Sequence, residues 1–459
     1  MKEPILVSNI QELISRNDVE ALRGVCRAEH PGAVAECLAA LSPAEIWQVI
    51  RHAPPALQAE IASHLPEEVQ AAFIMSLSRQ DTATLLTAMS PDDRAALFRN
   101  LTEEQRQTLF PALAHAERED IRRLTAYPKG SAGAVMTSDY VALRANMTAS
   151  QALAQLRLEA PKKEIIYYAY VLDDARRLIG FVSLKDLILA QPETSIEQFM
   201  HREVLFARVE DDQEAAARTI QKYDLIALPV INGGDALVGI ITHDDALDVI
   251  TQEHQEDVEK LMAIRGSHQA GAYLKTPALV HFKNRAVWII GLAGLGLISG
   301  MIIHSFEASL MNLIILALYM PMVADTGGNT GSQSATVVVR ALALGEISPR
   351  DAWRVLFKEL QISMLLALIL GLLSWGKVLF LSQDTELPPG YALGTVGAAI
   401  AIALALQVVT ATLIGAVLPL AAARLNKDPA VVASPALTTI VDITGLLLYF
   451  TTAKLLLGI

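Results

Sequence analysis

Residues 431–457 read VVASPALTTIVDITGLLLYFTTAKLLL, an apolar run in which Asp442 is the one charged side chain before Lys454. A carboxylate at such depth in a bilayer is costly, so it is expected to face an aqueous pathway or a partner rather than lipid. The run exceeds the roughly 20 residues that a helix needs to span a membrane. The first expectation is therefore a membrane protein through which a cation moves.

Residues 283–459 contain apolar segments that read as five spans, at 286–304, 310–340, 357–381, 391–420 and 433–457. The second and fourth are long enough to be tilted, broken or partly outside the membrane. Basic residues favour the cytoplasmic side of the connections. Lys283 and Arg285 precede the first span, Arg350, Arg354 and Lys358 follow the second, and Arg424 and Lys427 follow the fourth. The opposite connections carry Glu307, Asp384 and Glu386. This pattern predicts a cytoplasmic N-terminus in a cell membrane. The start, MKEPILVSNIQELISRND, lacks the basic-then-apolar order of a secretory signal, so insertion would rely on the later spans.

The chain has 37 Lys and Arg against 49 Asp and Glu; from residue 283 onward ten are basic and nine acidic, leaving the upstream part near −13. An acidic soluble half argues against nucleic acid or anionic lipid as its main partner and suits metal ions, although ordinary solubility explains the total equally well. Cys26 and Cys37 are the two cysteines, both upstream, so neither a disulfide framework nor a Cys-rich metal site is implied and both are expected reduced.

The upstream part has two styles. Residues 1–127 read as all-helical, with capping-box starts at Ser42-Pro-Ala-Glu45, Ser90-Pro-Asp-Asp93 and Thr102-Glu-Glu-Gln105, and a related start at Leu65-Pro66-Glu67-Glu68. Short helices at these intervals predict a superhelical array. From about 130, strands alternate with helices and a repeat appears. YAYVLDDARRLIGFVSLKDLI (168–188) resembles LPVINGGDALVGIITHDDAL (228–247), with Val171, Gly180 and Asp186 matching Val230, Gly239 and Asp245 at a constant offset. Val135-Met136-Thr137 is echoed by Phe199-Met200-His201. Two α/β modules follow, at 130–198 and 199–250. They resemble tandem CBS domains, in which Ser183 and Asp186 would hold a ribose and Tyr168 would stack an adenine; capping of the next helix by Ser183 and Thr242 accounts for the same spacing.

Next comes DDALDVITQEHQEDVEKLMAIRG (244–266), with seven carboxylates against Lys260 between Asp244 and Lys260. At about 100° per residue, Asp245, Asp248, Glu256 and Glu259 share one face, with Glu253 and Asp257 to one side. Like charges in a stripe cost stability. Divalent cations would relieve that cost and let the stripe approach Glu214, Asp224 or Asp92; a solvated helix face is the alternative.

In the second span, LYMPMVADTGGNTGSQSATVVVR (318–340) interrupts an apolar run with Pro321, Asp325, Gly327, Gly328, Asn329, Thr330 and Gly331. Irregular polar backbone at that depth belongs where it lines water or is buried in protein. Glycine-mediated helix packing accounts for Gly296 and Gly300 of the first span but explains Asp325 and Asn329 poorly.

With PMVADTGGNTGSQSA and DPAVVASPALTTIVDITGLLLYF quoted together, the chain resembles the MgtE magnesium channel/transporter family over essentially its whole length. The resemblance implies an all-α superhelical N-terminal domain, a tandem CBS pair, a connecting plug helix at 245–275 and a five-helix transmembrane domain at 283–459. It implies a homodimer with a central pore lined by spans two and five, with Asp442 recognising the ion and Gly327 and its neighbours contributing contacts. It also implies that Mg2+ bound among the cytosolic parts closes the pore, with Asp212, Glu214, Asp224, Asp245, Asp248, Glu253, Glu256 and Asp257 matching sensor ligands beside Asp92. The chain departs from the pattern at Ser434, where some relatives carry Asn, and at Ala96, where relatives can carry another acid. Mg2+ surrenders water reluctantly and takes oxygen ligands, so paired Asp442 carboxylates suit a hydrated ion. The same pair would attract Co2+, Ni2+ or Mn2+, but without paired His or Cys it would not hold Zn2+ tightly.

Two other readings stay open at this point: transport of another divalent cation such as Co2+, and a membrane-anchored receptor whose CBS pair reads a nucleotide. No HExxH, Walker A or nucleophile-elbow pattern occurs, so the chain is not expected to be an enzyme.

Overall fold

In the computed structural model, residues 7–264, 277–432 and 435–459 are described. The helical start is built from short amphipathic helices whose N-termini are closed by their own side chains. Ser42 accepts from the Glu45 amide while Glu45 accepts from the Ser42 amide, and Thr102 and Gln105 repeat the exchange before Glu103–Leu109. Pro66 starts Glu67–Ser76 with no side-chain cap bond. Helices pack on the helix two further along: Val19–Ala28 on Pro43–Ile50, Pro31–Leu38 on Pro55–Ser63, and so on to Glu67–Ser76 on Pro91–Asn100. That second-neighbour stacking is a superhelix, with Leu38, Ile46, Ile61, Phe73, Leu85 and Phe98 in its core. Cys26 and Cys37 are both free thiols, and burial pushes Cys26 up to about 11.

The repeat is visible in the sheets. Strands β1 (Val141–Arg144), β2 (Tyr168–Leu172) and β3 (Leu178–Ser183) form one sheet, and β4 (Ala207–Arg208), β5 (Ala227–Ile231) and β6 (Leu237–Thr242) the other. In each, the first pair is parallel and the second antiparallel. Val171 pairs with Gly180 and Val230 with Gly239, and a register shift follows at the same place in both. The two glycines are required by close packing: a Cβ on Gly180 would lie 2.8 Å from the His201 carbonyl oxygen, and one on Gly239 would lie 2.7 Å from that of Thr137. Each Met-Thr or Met-His echo therefore packs on the other repeat's glycine, which ties the modules into a pair.

Among the described residues, the compact unit from His254 onward has four helices long and apolar enough to cross a membrane: Ala278–Ser305, Pro349–Leu381, Leu393–Arg424 and Ala436–Leu457. A further long helix, Ile315–Ala343, carries Asp325, Asn329, Gln333 and Arg340, so its composition is less apolar than theirs. At 1.5 Å per residue its 29 residues reach about 44 Å, more than the bilayer's hydrocarbon core. The Leu393–Arg424 helix is the centre of the bundle, packed on Ala352–Leu381, Ile315–Ala343 and Pro435–Leu457. Leu316, Tyr319, Ile400, Leu404, Tyr449 and Phe450 fill the largest part of this core.

Two expectations are corrected. The polar stretch 321–331 is not irregular backbone: Ile315–Ala343 runs as one helix through Pro321 and the glycines, with the break upstream between Glu307–Asn312 and Ile315. Helix persists there because neighbouring helices press on the glycines and Thr330 returns its hydroxyl to the Thr326 and Gly327 carbonyls. Gly296 and Gly300 mediate no packing among the described residues of this chain, where nothing lies within 4 Å of their would-be Cβ atoms. The connecting helix spans His243–Leu261; residues 265–275 of the expected plug, and Ser434, fall outside the described residues.

Candidate functional site

In the unit that ends at Glu253, three carboxylates converge. Asp92 is the second residue of Pro91–Asn100, Asp245 sits in the first turn of His243–Leu261, and Glu164 precedes β2. One oxygen of each lies within 4.8 Å of the others. Asp92 Oδ1 is buried without a hydrogen-bond partner, whereas Asp245 Oδ2 accepts from Thr242 Oγ1 at 2.6 Å. Burial, with the charge of Asp93 added, pushes Asp92 up to about 6. Burial and then the neighbouring aspartates raise Glu164, and burial and then Asp92 raise Asp245. Two helix N-termini face the group and offset part of the repulsion. An all-oxygen cluster with an unsatisfied buried acceptor suits a hard divalent cation. Glu164 was not anticipated; its only signal is an acid within PKKEII.

Several of the remaining candidate sensor positions have local partners. Asp212 caps Gln213–Lys222 by accepting from the Glu214 and Ala215 amides. Glu214 pairs with Arg218, and Asp224 holds a left-handed turn at φ 50°. Glu253 accepts from Gln213 Nε2 at 2.7 Å. Asp248 and Asp257 lie along the same connecting helix, exposed and half-buried respectively. Lys260 Nζ bonds Glu256 and Asp428 at 2.9 Å each, and Leu261 packs on Ala335, Ala411, Leu437 and Val441.

At the end of β3, Ser183 forms a capping box with Asp186, as the capping account of this motif expects. Asp186 Oδ2 also meets His201 Nε2 at 3.0 Å. Burial alone would raise Asp186, but these hydrogen bonds hold it below the ordinary carboxylate range. Tyr168 packs edge-on to Phe181, which stacks on His201 with centroids 4.9 Å apart. Aromatic faces and a ribose-type acceptor are thus adjacent; His201 is the member missed in the sequence.

Among the membrane helices, Asp442 is half-buried on Pro435–Leu457, within electrostatic reach of Asp325. Asp325, Asn329 and Gln333, four residues apart, are exposed along one face of Ile315–Ala343. The other face is turned inward: Gly327 meets Gln407, Gly328 meets Thr438, and Gly331 meets the Ala411 carbonyl. Gln407 is completely buried, and Ser334 donates to the buried Glu359 at 2.8 Å.

Comparison with known proteins bears on this arrangement. Residues 320–452 match the MgtE divalent cation transporter domain, 29–130 the MgtE intracellular N domain, and 132–193 and 196–252 CBS domains. The magnesium transporter MgtE of Thermus thermophilus is 40% identical over 338 residues, 74% of this chain and 72% of that protein. The chain belongs to the MgtE family. Its Bacillus subtilis member is 36% identical over 72% of this chain and 70% of its own length. The cytosolic domain of the Mg2+ channel MgtE in complex with ATP superimposes with a TM-score of 0.50 at 37% identity, covering 53% of this chain and 100% of that one. Membership in the family makes the chain a non-enzymatic membrane protein of magnesium transport with a CBS pair.

Proposed function

We propose that this chain is a homodimeric Mg2+ channel with a cytoplasmic N-terminus and five spans, closed by Mg2+ bound to its own acidic cytosolic part. The carrying observation is Asp442 on an apolar helix, within electrostatic reach of Asp325, whose helix offers an exposed polar face continued by Asn329 and Gln333. Two copies of Asp442 about a dimer axis would contact a hydrated ion through carboxylate oxygens, with no chemical step. The gradient and membrane potential drive the flow.

Closure follows from the acidic positions. A cation at Asp92, Glu164 and Asp245 removes like-charge repulsion that otherwise opposes the packed arrangement. Within the membrane unit, Lys260 of the connecting helix pairs with Asp428 and Leu261 packs on the cluster of Ala335, Ala411, Leu437 and Val441, which supports a link from this helix to the pore. Asp248, Glu256 and Asp257 line the intervening turns, and Asp212, Glu214, Asp224 and Glu253 would join as secondary ligands on release from their local bonds. Each ion shifts the equilibrium only by its preference for the closed state, so several acting together give a steep response. Tyr168, Ser183, Asp186 and His201, adjacent at the end of β3, would contact an adenine nucleotide such as ATP, by analogy with the solved relative.

The test is a protein with Asp245→Asn, Asp248→Asn, Glu256→Gln and Asp257→Asn combined. Its Mg2+ flux should persist at high cytosolic-side Mg2+; unchanged closure would remove the sensor assignment.

A further inference from the structure

Gln407 stands in the apolar run AIALALQVVTATLIG and is the completely buried amide at the centre of the membrane bundle. Burying an amide there is unfavourable unless its hydrogen bonds are met. Its Nε2 donates to the main-chain oxygen of Val441, the residue before Asp442, at 2.9 Å. That carbonyl belongs to a helix, so the amide adds a bond from outside at the base of the Asp442 side chain.

The space around the amide is set by glycine on both sides. A Cβ on Gly445 would come within 2.5 Å of Gln407 Nε2, and one on Gly327 would overlap the same atom. Gly327 is two residues from Asp325, and Gly445 three from Asp442. The side chain is therefore a spacer clamped between the two helices that carry the membrane carboxylates. We propose that Gln407 is a positioning residue which sets the spacing of the Asp325 and Asp442 helices and the orientation of Asp442 toward the ion.

This rests on the channel reading, and the test separates the two. Gln407→Met keeps the length and volume but removes the donor; Gly445→Ala keeps the donor and removes its space. In proteoliposomes each variant should raise the Mg2+ concentration for half-maximal uptake about tenfold, the equivalent of one buried hydrogen bond. A packing role alone would lower the amount of active protein, and so the maximal flux, without moving half-saturation. Helix spacing is read independently by oxidative cross-linking of Gly328→Cys with Thr438→Cys in a Cys26→Ala, Cys37→Ala background. A Cβ at Gly328 lies 3.5 Å from Thr438 Cγ2, so this pair suits a disulfide. The cross-linking rate should fall severalfold in Gly445→Ala, whose Cβ pushes into the spacer, and stay near wild type in Gln407→Met, which keeps its volume. Unchanged cross-linking in Gly445→Ala, or wild-type half-saturation in Gln407→Met, overturns the assignment. Absence of Mg2+ uptake by the wild type would instead refute the channel reading, while the cross-linking arm still decides whether Gln407 sets the spacing.

Discussion

Replacing Glu164 by Gln should move two properties in opposite directions. Two full charges 4.8 Å apart repel by about 3.5 kcal/mol at an effective dielectric of 20, and Glu164 takes part in two such pairs. Burial and the neighbouring aspartates raise Glu164 to about 9, so near neutral pH it is already largely protonated and the relief left for Gln is about 1 kcal/mol in cation-free protein. For a domain of this size, that raises the unfolding midpoint by about 2–4 °C. The bound cation, however, loses one of three carboxylates. Losing one charged interaction of about 1.5–3 kcal/mol weakens Mg2+ binding by about tenfold to a hundredfold. Thermal unfolding of the full-length protein in detergent, across a Mg2+ titration, reads both. Glu164→Gln should melt higher than wild type without Mg2+ and need at least about tenfold more Mg2+ for the same stabilisation. A lower cation-free midpoint, or an unchanged Mg2+ titration, would refute the cluster as a cation site.

The same cluster makes stability depend on pH. The folded protein holds the Asp92 proton up to about 6 against an ordinary 3.8, so this contribution is fully present below pH 4 and is lost as pH rises through 6. The difference amounts to about 3 kcal/mol. Cation-free melting should therefore fall between pH 4 and pH 7, while the stabilisation given by saturating Mg2+ grows over the same interval; a flat Mg2+ effect would contradict it. In the membrane part, Gly415→Ala would drive a Cβ into the Gly331 carbonyl and should cost about 1–3 kcal/mol or more, seen as a lower midpoint. Gly296→Ala, where the space is open, should be silent in the same assay.

The fold was legible where sequence pattern and packing share a cause. The constant offset between Gly180 and Gly239 reflects two positions at which another main chain crosses too closely for a Cβ. The Met-Thr and Met-His echoes are the segments that cross them. Capping boxes at Ser42 and Thr102 are local chemistry and could be read directly. The polar stretch after Pro321 misled because glycines signal backbone freedom, while here they accommodate the side chain of Gln407 and the backbone of the neighbouring helix. Gln407 was visible as a lone amide in an apolar run but had no partner in the sequence; its partner, the Val441 carbonyl, is 34 residues away and carries no residue signature. Glu164 was hidden for a similar reason. Nothing near it in sequence marks the approach of Asp92 and Asp245, which only the docking of a capped helix and a strand-helix junction brings about. At Asp212 the sequence marked an acid but not its local use, since one oxygen accepts from amides of the helix it caps.

The most direct measurement is Mg2+ uptake into proteoliposomes carrying the wild type or Asp442→Ala, with Mg2+ on the cytosolic-domain side varied independently. Uptake that requires Asp442 and falls as cytosolic-side Mg2+ rises is the predicted result. Equal uptake by the two proteins, or none by folded wild type under any gradient, would contradict the account.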